Sequence, residues 1–210
     1  MNVFSIESFM DELAMLAGAD PVEFRLAHLE DPRAREVVSA AARRFGWRAW
    51  RRTPARGRGF GFARYKNLAA YCAVALELKV EPATGALTVG RVVAAADCGE
   101  AISPDGVRNQ IEGAIVQSLS WTMIEQVDWN ADRRTSVDWN AYPIMRFPAL
   151  PQDVEVEVID RPSEPFLGVG EAGQGPTAAA LANALADATG KRLRDLPLTA
   201  EKVKAAIVMT

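Results

Sequence analysis

The stretch formed by residues 160–197 constrains the fold more than any other part of the chain, because its glycines and prolines fix where a loop ends and a helix begins. It opens with two turn-forming prolines and continues into a loop in which glycines recur at short intervals. These glycines are Gly168, Gly170, Gly173 and Gly175. Beyond them, residues 177–188 read as a helix of small residues, with Pro176 in its first turn and Gly190 at its C-cap.

This loop contains one ionisable side chain, Glu171. Glycines let a backbone approach another molecule closely, and the start of a helix presents unpaired N–H groups to anions. A glutamate in this position is therefore a candidate for chemistry on a bound molecule. A tight turn without function is the alternative, and local composition alone favours it. The glycine pattern does not follow a strand as GxGxxG, and no GK[ST] occurs, so dinucleotide and P-loop sites are only weakly indicated.

The composition predicts a soluble globular protein of one or two domains. The 210 residues are 49% hydrophobic and carry a net charge of −3, which argues against a nucleic-acid partner. No apolar run is long enough to span a membrane, and acidic residues interrupt the N-terminus where a signal peptide would be apolar. A cytoplasmic location is therefore expected. Cys72 and Cys98 are too few for a disulfide framework or an iron–sulfur motif.

The first part of the chain is predicted to be a helical segment over residues 1–48, followed by an arginine- and glycine-rich loop over residues 49–67. An apolar stripe at helical spacing runs along residues 6–17. Asp20 and Asp31 each precede a proline, and each predicts the start of a further helix. The basic cluster of the loop is interpreted as solvated rather than as a phosphate site. It comprises Arg51, Arg52, Arg56 and Arg58.

Strands are predicted in the middle of the chain. Residues 71–81 have apolar residues with a period of two, residues 87–96 are rich in valine, and a Pro-Ala-Thr-Gly turn lies between them, which indicates a β-hairpin. Residues 154–158 alternate valine with glutamate and predict another strand. Trp129 and Trp139 are interpreted as core residues, with the wall of a substrate channel as the less favoured alternative. Residues 199–208 predict a short amphipathic helix.

A second informative stretch is DCGEAISPDGVRNQIEGAIVQSLSWTMIEQ, residues 97–126. Ser103 and the following proline predict a helix start. Gln110, Gly113 and Gln117 recur at intervals of three and four, which forms a polar stripe with no side chain in its middle. Such a stripe suits a planar ligand lying against the helix. A close helix–helix contact at Gly113 is the alternative, and the pattern alone favours that alternative.

Three stretches together resemble one enzyme family. The sequence GVGEAGQGPTAAALANALADATG, followed by LRDLPLT, is similar to the C-terminal signature of the molybdenum hydroxylase large subunits, the xanthine dehydrogenase and aldehyde oxidase superfamily. SPDGVRNQIEGAIVQSLS resembles the family segment that contacts molybdopterin, and ESFMDELA through DPVEFRLAHL resembles a family helical segment. The likeness is greatest to the branch that includes isoquinoline 1-oxidoreductase. Many relatives have proline after the loop glutamate, where this chain has Ala172.

The resemblance implies an α+β fold, with residues 68–210 forming the C-terminal molybdopterin-binding domain and helices packed on a mixed or antiparallel sheet. It implies that Glu171 is the catalytic base and that the cofactor is molybdopterin, as such or as the cytosine dinucleotide. It further implies that residues of the second stretch and of the loop before the base contact the cofactor. These contacts are Gln110, Gly113, Gly168, Val169 and Gly170.

The implied reaction is hydroxylation of an N-heterocycle or aldehyde with water as the oxygen donor. In the family the pterin dithiolene ligates molybdenum, so a chain without a metal-ligand motif can belong to a metalloenzyme. The [2Fe–2S] clusters are expected on a small partner subunit, and the N-terminal part of the large subunit is expected as a further partner, in addition to the small-molecule substrate. The chain alone is expected to be inactive. Two alternatives remain: a non-catalytic truncated or split chain, and a small anion-binding module built on the Gly173 loop.

Overall fold

The computed structural model describes residues 1–208 and combines helices with one four-stranded sheet, as the α+β prediction requires. The helices are α1 (Asn2–Leu16), α2 (Pro21–His28), α3 (Pro32–Phe45), α4 (Pro104–Met123), α5 (Gln174–Thr189) and α6 (Ala200–Val208). The strands are β1 (Arg56–Arg64), β2 (Tyr71–Val80), β3 (Leu87–Asp97) and β4 (Asp153–Ile159). Within this described part, no helix has the length and apolar character needed to cross a bilayer.

The sheet is mixed, with the strand order β1-β2-β3-β4. β1 and β3 both run antiparallel to β2, which confirms the predicted hairpin, and Tyr71 pairs with Asp97 at its open end. β4 pairs with β3 in parallel, so the chain must cross from one end of the sheet to the other between them. α4 lies in this crossover. The carboxyl ends of β3 and β4 therefore lie side by side, and the loops that follow them meet.

Both faces of the sheet are covered by helices, and β2 divides its side chains between two cores. Cys72, Val74 and Leu76 pack with residues of α4 and α5 on one face. Ala73 and Ala75 pack with α3 on the other face. Side chains that alternate along β2 are therefore buried on both faces, because helices cover both sides of the sheet.

The helix starts follow the predicted capping. The Asp20 carboxylate accepts hydrogen bonds from Val22 N (2.9 Å) and from the Trp47 indole (2.9 Å). Asp31 caps α3 by accepting from Arg33 N at 2.9 Å. α3 ends at Gly46, whose φ of 76° is the left-handed conformation that favours glycine at this position. Short polar side chains next to prolines therefore mark the starts of both helices.

The prediction of an unbroken loop over residues 49–67 is wrong, because β1 occupies much of it. Three glycines alternate along this strand, an unfavourable composition for a strand in isolation. A Cβ built on Gly59 would lie 1.9 Å from the carbonyl oxygen of Ala180 in α5, and Gly57 and Gly61 face the same helix equally closely. The glycines are therefore required by direct packing of a helix backbone on the strand, which a local sequence pattern does not reveal.

The interpretation of Trp129 and Trp139 as core residues is also wrong. Their side chains are 74% and 68% exposed. They lie in an irregular segment whose one bridge joins Trp129 to Arg134. The prediction failed because the segment between α4 and β4 forms no sheet against which a tryptophan could pack.

Candidate functional site

The first half of the glycine-rich stretch is fastened to the end of β3. Leu167 N donates to Cys98 O at 2.7 Å, and Arg161 N donates to Gly99 O at 3.1 Å. Ala101 N donates to the Asp160 carboxylate at 2.9 Å. Gly99 has a φ of +72°, and a Cβ there would lie 2.0 Å from Pro165 O. Backbone hydrogen bonds therefore fix this loop against the strand end before it reaches its glycines.

A buried carboxylate, Asp97, ties three elements together beneath the loop. Its side chain is fully buried and accepts hydrogen bonds from Arg33 of α3 (2.5 and 3.0 Å), from Arg161 after β4 (2.5 Å) and from Gly99 N (2.9 Å). Burial raises the pKa of the Asp97 carboxyl, but these hydrogen bonds outweigh burial and hold the pKa below its ordinary value. Asp97 is therefore an ionised anchor that holds the start of the loop.

The loop then turns tightly into α5. Ala172 N donates to Val169 O at 3.1 Å, and Gln174 N donates to Glu171 O at 3.2 Å. Ala172 is buried, whereas Glu171 is exposed. The helix begins at Gln174, earlier than the predicted residue 177, because the turn around Glu171 leads directly into helical geometry. The result is an exposed carboxylate on a backbone that turn hydrogen bonds hold in place.

Gln110 and the glycine loop line one cleft of ≈ 530 Å³. Val169 lines the same cleft, and a Cβ built on Gly170 would lie 3.5 Å from Gln110 Nε2. Gly168 is exposed, and a Cβ there would meet nothing within 4 Å. The structure thus brings Gln110 of α4 close to Val169 and Gly170 of the loop, which were predicted as cofactor contacts from separate stretches.

The polar stripe on α4 faces open space. Gly113 is exposed, and a Cβ built on it would meet nothing within 4 Å, so the favoured alternative of a helix–helix contact there is wrong within residues 1–208. Gln117 accepts a hydrogen bond from Gln174 Nε2 at 2.6 Å, which joins the stripe to the start of α5. The surface formed by Gln110, Gly113 and Gln117 is therefore available to a ligand.

Glu171 lies in a second cleft of ≈ 510 Å³. Tyr65 and Lys66, from the turn after β1, line it together with Trp121 of α4. The Tyr65 hydroxyl donates a hydrogen bond to Glu171 Oε2, and this bond raises the pKa of the Tyr65 phenol. Sequence reasoning missed Tyr65, since the pair is 106 residues apart and no motif surrounds the tyrosine.

The start of α5 does not offer the open set of N–H groups that an anion-binding module requires. Gln174 N and Thr177 N already donate to backbone oxygens of Glu171 and Gly173, at 3.2 Å each. A Cβ built on Gly175 would lie 2.8 Å from Val3 Cβ, because α1 packs against this turn. These contacts argue against that alternative.

Comparison with known proteins supports the resemblance. A family model described as "Molybdopterin cofactor-binding domain" matches residues 7–151. The chain is 46% identical over 220 residues to a subunit of nicotinate dehydrogenase from Pseudomonas putida, a match that covers 98% of the chain and 18% of that protein. It is 34% identical over 196 residues to the beta subunit of isoquinoline 1-oxidoreductase from Brevundimonas diminuta, covering 93% of the chain and 25% of that protein. The chain therefore spans a quarter or less of the length of these relatives.

The fold agrees with this assignment. Aldehyde oxidoreductase from Desulfovibrio gigas superimposes with a TM-score of 0.80 over 98% of this chain and 40% of that chain, at 15% identity. At such identity the likeness shows the fold alone. The family model, however, matches more than half of the chain. The chain therefore belongs to the molybdenum hydroxylase family, as part of a molybdopterin-binding subunit.

Proposed function

We propose that this chain is the base-bearing part of a molybdopterin-dependent enzyme that hydroxylates an N-heterocycle or an aldehyde with water as the oxygen donor. The observation that carries the proposal is the exposed carboxylate of Glu171 on a glycine turn, three residues before Gln174, which donates to Gln117 on the open surface of α4. Relatives named for nicotinate, isoquinoline and aldehyde oxidation support both substrate classes.

The residues present fit molybdopterin. A pterin is flat and has amide-like donors and acceptors along its edge, so it needs a surface without protruding side chains and a side-chain amide next to it. Gly113 and Gly168 leave such space, since a Cβ on either would meet nothing within 4 Å. Gln110 supplies the amide, and Val169 and Gly170 flank it. Gln110, Gly113 and residues 168–170 would therefore hold the cofactor.

Glu171 acts on protons in this proposal. Molybdopterin, when bound, supplies the two-electron redox chemistry of the hydroxylation. Overall, a C–H bond and water give a C–OH group, two protons and two electrons. Glu171 would take one of the protons at a carboxylate oxygen, acting as a general base. Backbone hydrogen bonds on both sides of Glu171 fix the turn that carries this side chain.

The chain spans a quarter or less of the length of these relatives, so the enzyme needs further parts. We propose that the remaining part of the large subunit supplies the other side of the cofactor site, and that a small subunit holds the [2Fe–2S] clusters that carry the electrons away. The nicotinate and isoquinoline relatives are each named as one subunit of an enzyme, which supports such an assembly. The cytosine dinucleotide form of the cofactor and a cytoplasmic location stay predictions.

The experiment that tests the function uses the complete enzyme in water labelled with oxygen-18. We expect the hydroxylated heterocycle or carboxylic acid product to carry the label from water, with molybdenum present in the protein. A product whose oxygen comes from dioxygen would contradict the proposal. Full activity in an enzyme free of molybdenum would contradict it as well.

The chain alone is expected to retain almost no molybdopterin. Gln110, Gly113 and Gly168 are all exposed, so one side of a bound cofactor would face solvent and its polar atoms there would lack protein partners. Molybdenum analysis of the purified 210-residue chain measures this, with the complete enzyme as the reference. Near-stoichiometric molybdenum in the lone chain would contradict the prediction.

Replacing Gln110 with alanine should weaken cofactor binding without weakening the fold. The side chain is exposed, so its loss should change the free energy of unfolding by less than about 0.5 kcal/mol. A lost hydrogen bond to the pterin should lower cofactor affinity in the complete enzyme by about 1–3 kcal/mol. Cofactor occupancy and thermal stability are measured side by side. Unchanged occupancy together with lowered stability would assign Gln110 a purely structural role.

A further inference from the structure

A tyrosine outside the three family-like stretches contacts the proposed base. The Tyr65 hydroxyl donates to Glu171 Oε2, and within residues 1–208 no hydrogen bond reaches the other carboxylate oxygen, Oε1. One oxygen is thus held and the other is free. Glu171 is exposed and has a flexible side chain, so without a partner its carboxylate would sample several rotamers.

The turn that presents Tyr65 is built with unusual backbone geometry. Tyr65 N donates to Ala70 O at 2.8 Å, and Tyr65 O accepts from Ala69 N at 2.9 Å, so the tyrosine backbone is fixed on both sides. Lys66 and Asn67 adopt φ angles of +51° and +60°. A lysine rarely takes this left-handed conformation, and such strain persists where the surrounding structure enforces it, often at functional sites.

We propose that Tyr65 is a positioning residue for the hydroxylation, holding Oε2 of Glu171 so that Oε1 faces the reacting oxygen. This inference rests on the proposed function of Glu171 as the base. It adds a residue of the turn after β1 to a site that otherwise comes from α4 and the glycine loop. The phenol acts through the carboxylate and needs no contact with substrate.

The chain contains a matched control pair away from the site. Tyr142 donates to Glu125 Oε2 at 2.7 Å, which is the same kind of contact in the irregular segment after α4. Tyr65→Phe and Tyr142→Phe each remove one hydroxyl and keep the ring. A general effect of losing a tyrosine–carboxylate bond should be the same in both variants, whereas a positioning effect should appear only at Tyr65.

The hydrogen bond itself is tested without turnover. The 210-residue chain has three tyrosines, so labelling with 3-fluorotyrosine gives three fluorine NMR signals that Tyr→Phe variants assign. The carboxylate raises the pKa of Tyr65, so Glu171→Gln should move the Tyr65 titration to lower pH and leave that of Tyr142 in place. Glu125→Gln should move the Tyr142 titration to lower pH and leave that of Tyr65 in place. An unmoved Tyr65 titration in Glu171→Gln would overturn the proposal.

Kinetics of the complete enzyme then test the role. With cofactor content unchanged, Tyr65→Phe should lower kcat about 10-fold and change KM by less than about 2-fold, since a charge-assisted hydrogen bond is lost. Tyr142→Phe should retain wild-type kcat. Tyr65→Phe combined with Glu171→Gln should lose no more than Glu171→Gln alone, because both changes act through one group.

The outcomes separate this inference from the proposed function. An inactive Glu171→Gln enzyme with a fully active Tyr65→Phe enzyme would overturn the role of Tyr65 and leave the base in place. A fully active Glu171→Gln enzyme would overturn the base itself, and the positioning role would fall with it.

Discussion

Glu171→Gln in the complete enzyme is expected to lower kcat by at least about 10²-fold, within the range of roughly 10²–10⁴ that loss of a general base produces. Glutamine keeps the size of the side chain and can still accept the hydrogen bond from Tyr65, so the local geometry should survive. The amide cannot take a proton at any useful pH. The cofactor contacts lie on α4 and on residues 168–170, so molybdopterin content should stay normal. Steady-state kinetics and molybdenum analysis of the same preparation measure both quantities.

Glu125→Gln is the control for this prediction. Glu125 also accepts a hydrogen bond from a tyrosine, Tyr142, and lies outside the two clefts of the site. The Glu125→Gln enzyme should therefore keep kcat within about 2-fold of wild type. A Glu171→Gln enzyme with full cofactor and near-normal kcat would show that Glu171 is only a loop residue.

Features set by neighbouring residues could be predicted from the sequence. The capping aspartates, the hairpin and the start of α4 depend on side chains within a few positions, and each appears where its local pattern places it. The pairing of Gln110 with the glycine loop came from the resemblance rather than from any spacing rule. The structure brings the two within contact distance.

Features set by distant residues could not be predicted. The hydroxyl of Tyr65 meets Glu171 across 106 positions, through a turn that has no distinguishing composition. β1 was mistaken for a loop because its glycines disfavour a strand locally, and only their contact with α5 explains them. The prediction that Trp129 and Trp139 are core residues is wrong for the opposite reason. Tryptophan is usually buried, but the segment that contains these two forms no sheet against which they could pack, so both are exposed.

Gly59→Ala is expected to lower the free energy of unfolding by more than about 3 kcal/mol, the upper range for overpacking a rigid core. The new Cβ would lie 1.9 Å from Ala180 O and 2.3 Å from Ala184 N, which are both backbone atoms of α5. Neither atom can move without displacing the helix, whereas a clash with a side-chain end can be relieved by rotation. Chemical denaturation of the chain measures the change, with the slope on denaturant checked for constancy.

Two other glycines provide matched controls for this substitution. Gly90→Ala in β3 would place its Cβ 2.5 Å from Glu77 Oε1, a flexible atom that can rotate away, so the loss should stay below about 1 kcal/mol. Gly113→Ala in α4 meets nothing within 4 Å and should stabilise the chain by about 0.5–1 kcal/mol, since alanine favours the helix. Equal stability of the Gly59 and Gly90 variants would contradict direct helix–strand packing.

This packing also connects the core to the site. α5 begins directly after the turn that holds Glu171, so a helix displaced from β1 would carry the carboxylate with it. Tyr65 follows β1 immediately and would stay with the strand. Gly59→Ala should therefore break the contact between Tyr65 and Glu171 even in molecules that remain folded. In the fluorine NMR titration, the Tyr65 signal of this variant should move towards its position in Glu171→Gln. A folded Gly59→Ala chain with an unmoved Tyr65 titration would show that the strand glycines do not set the geometry of the site.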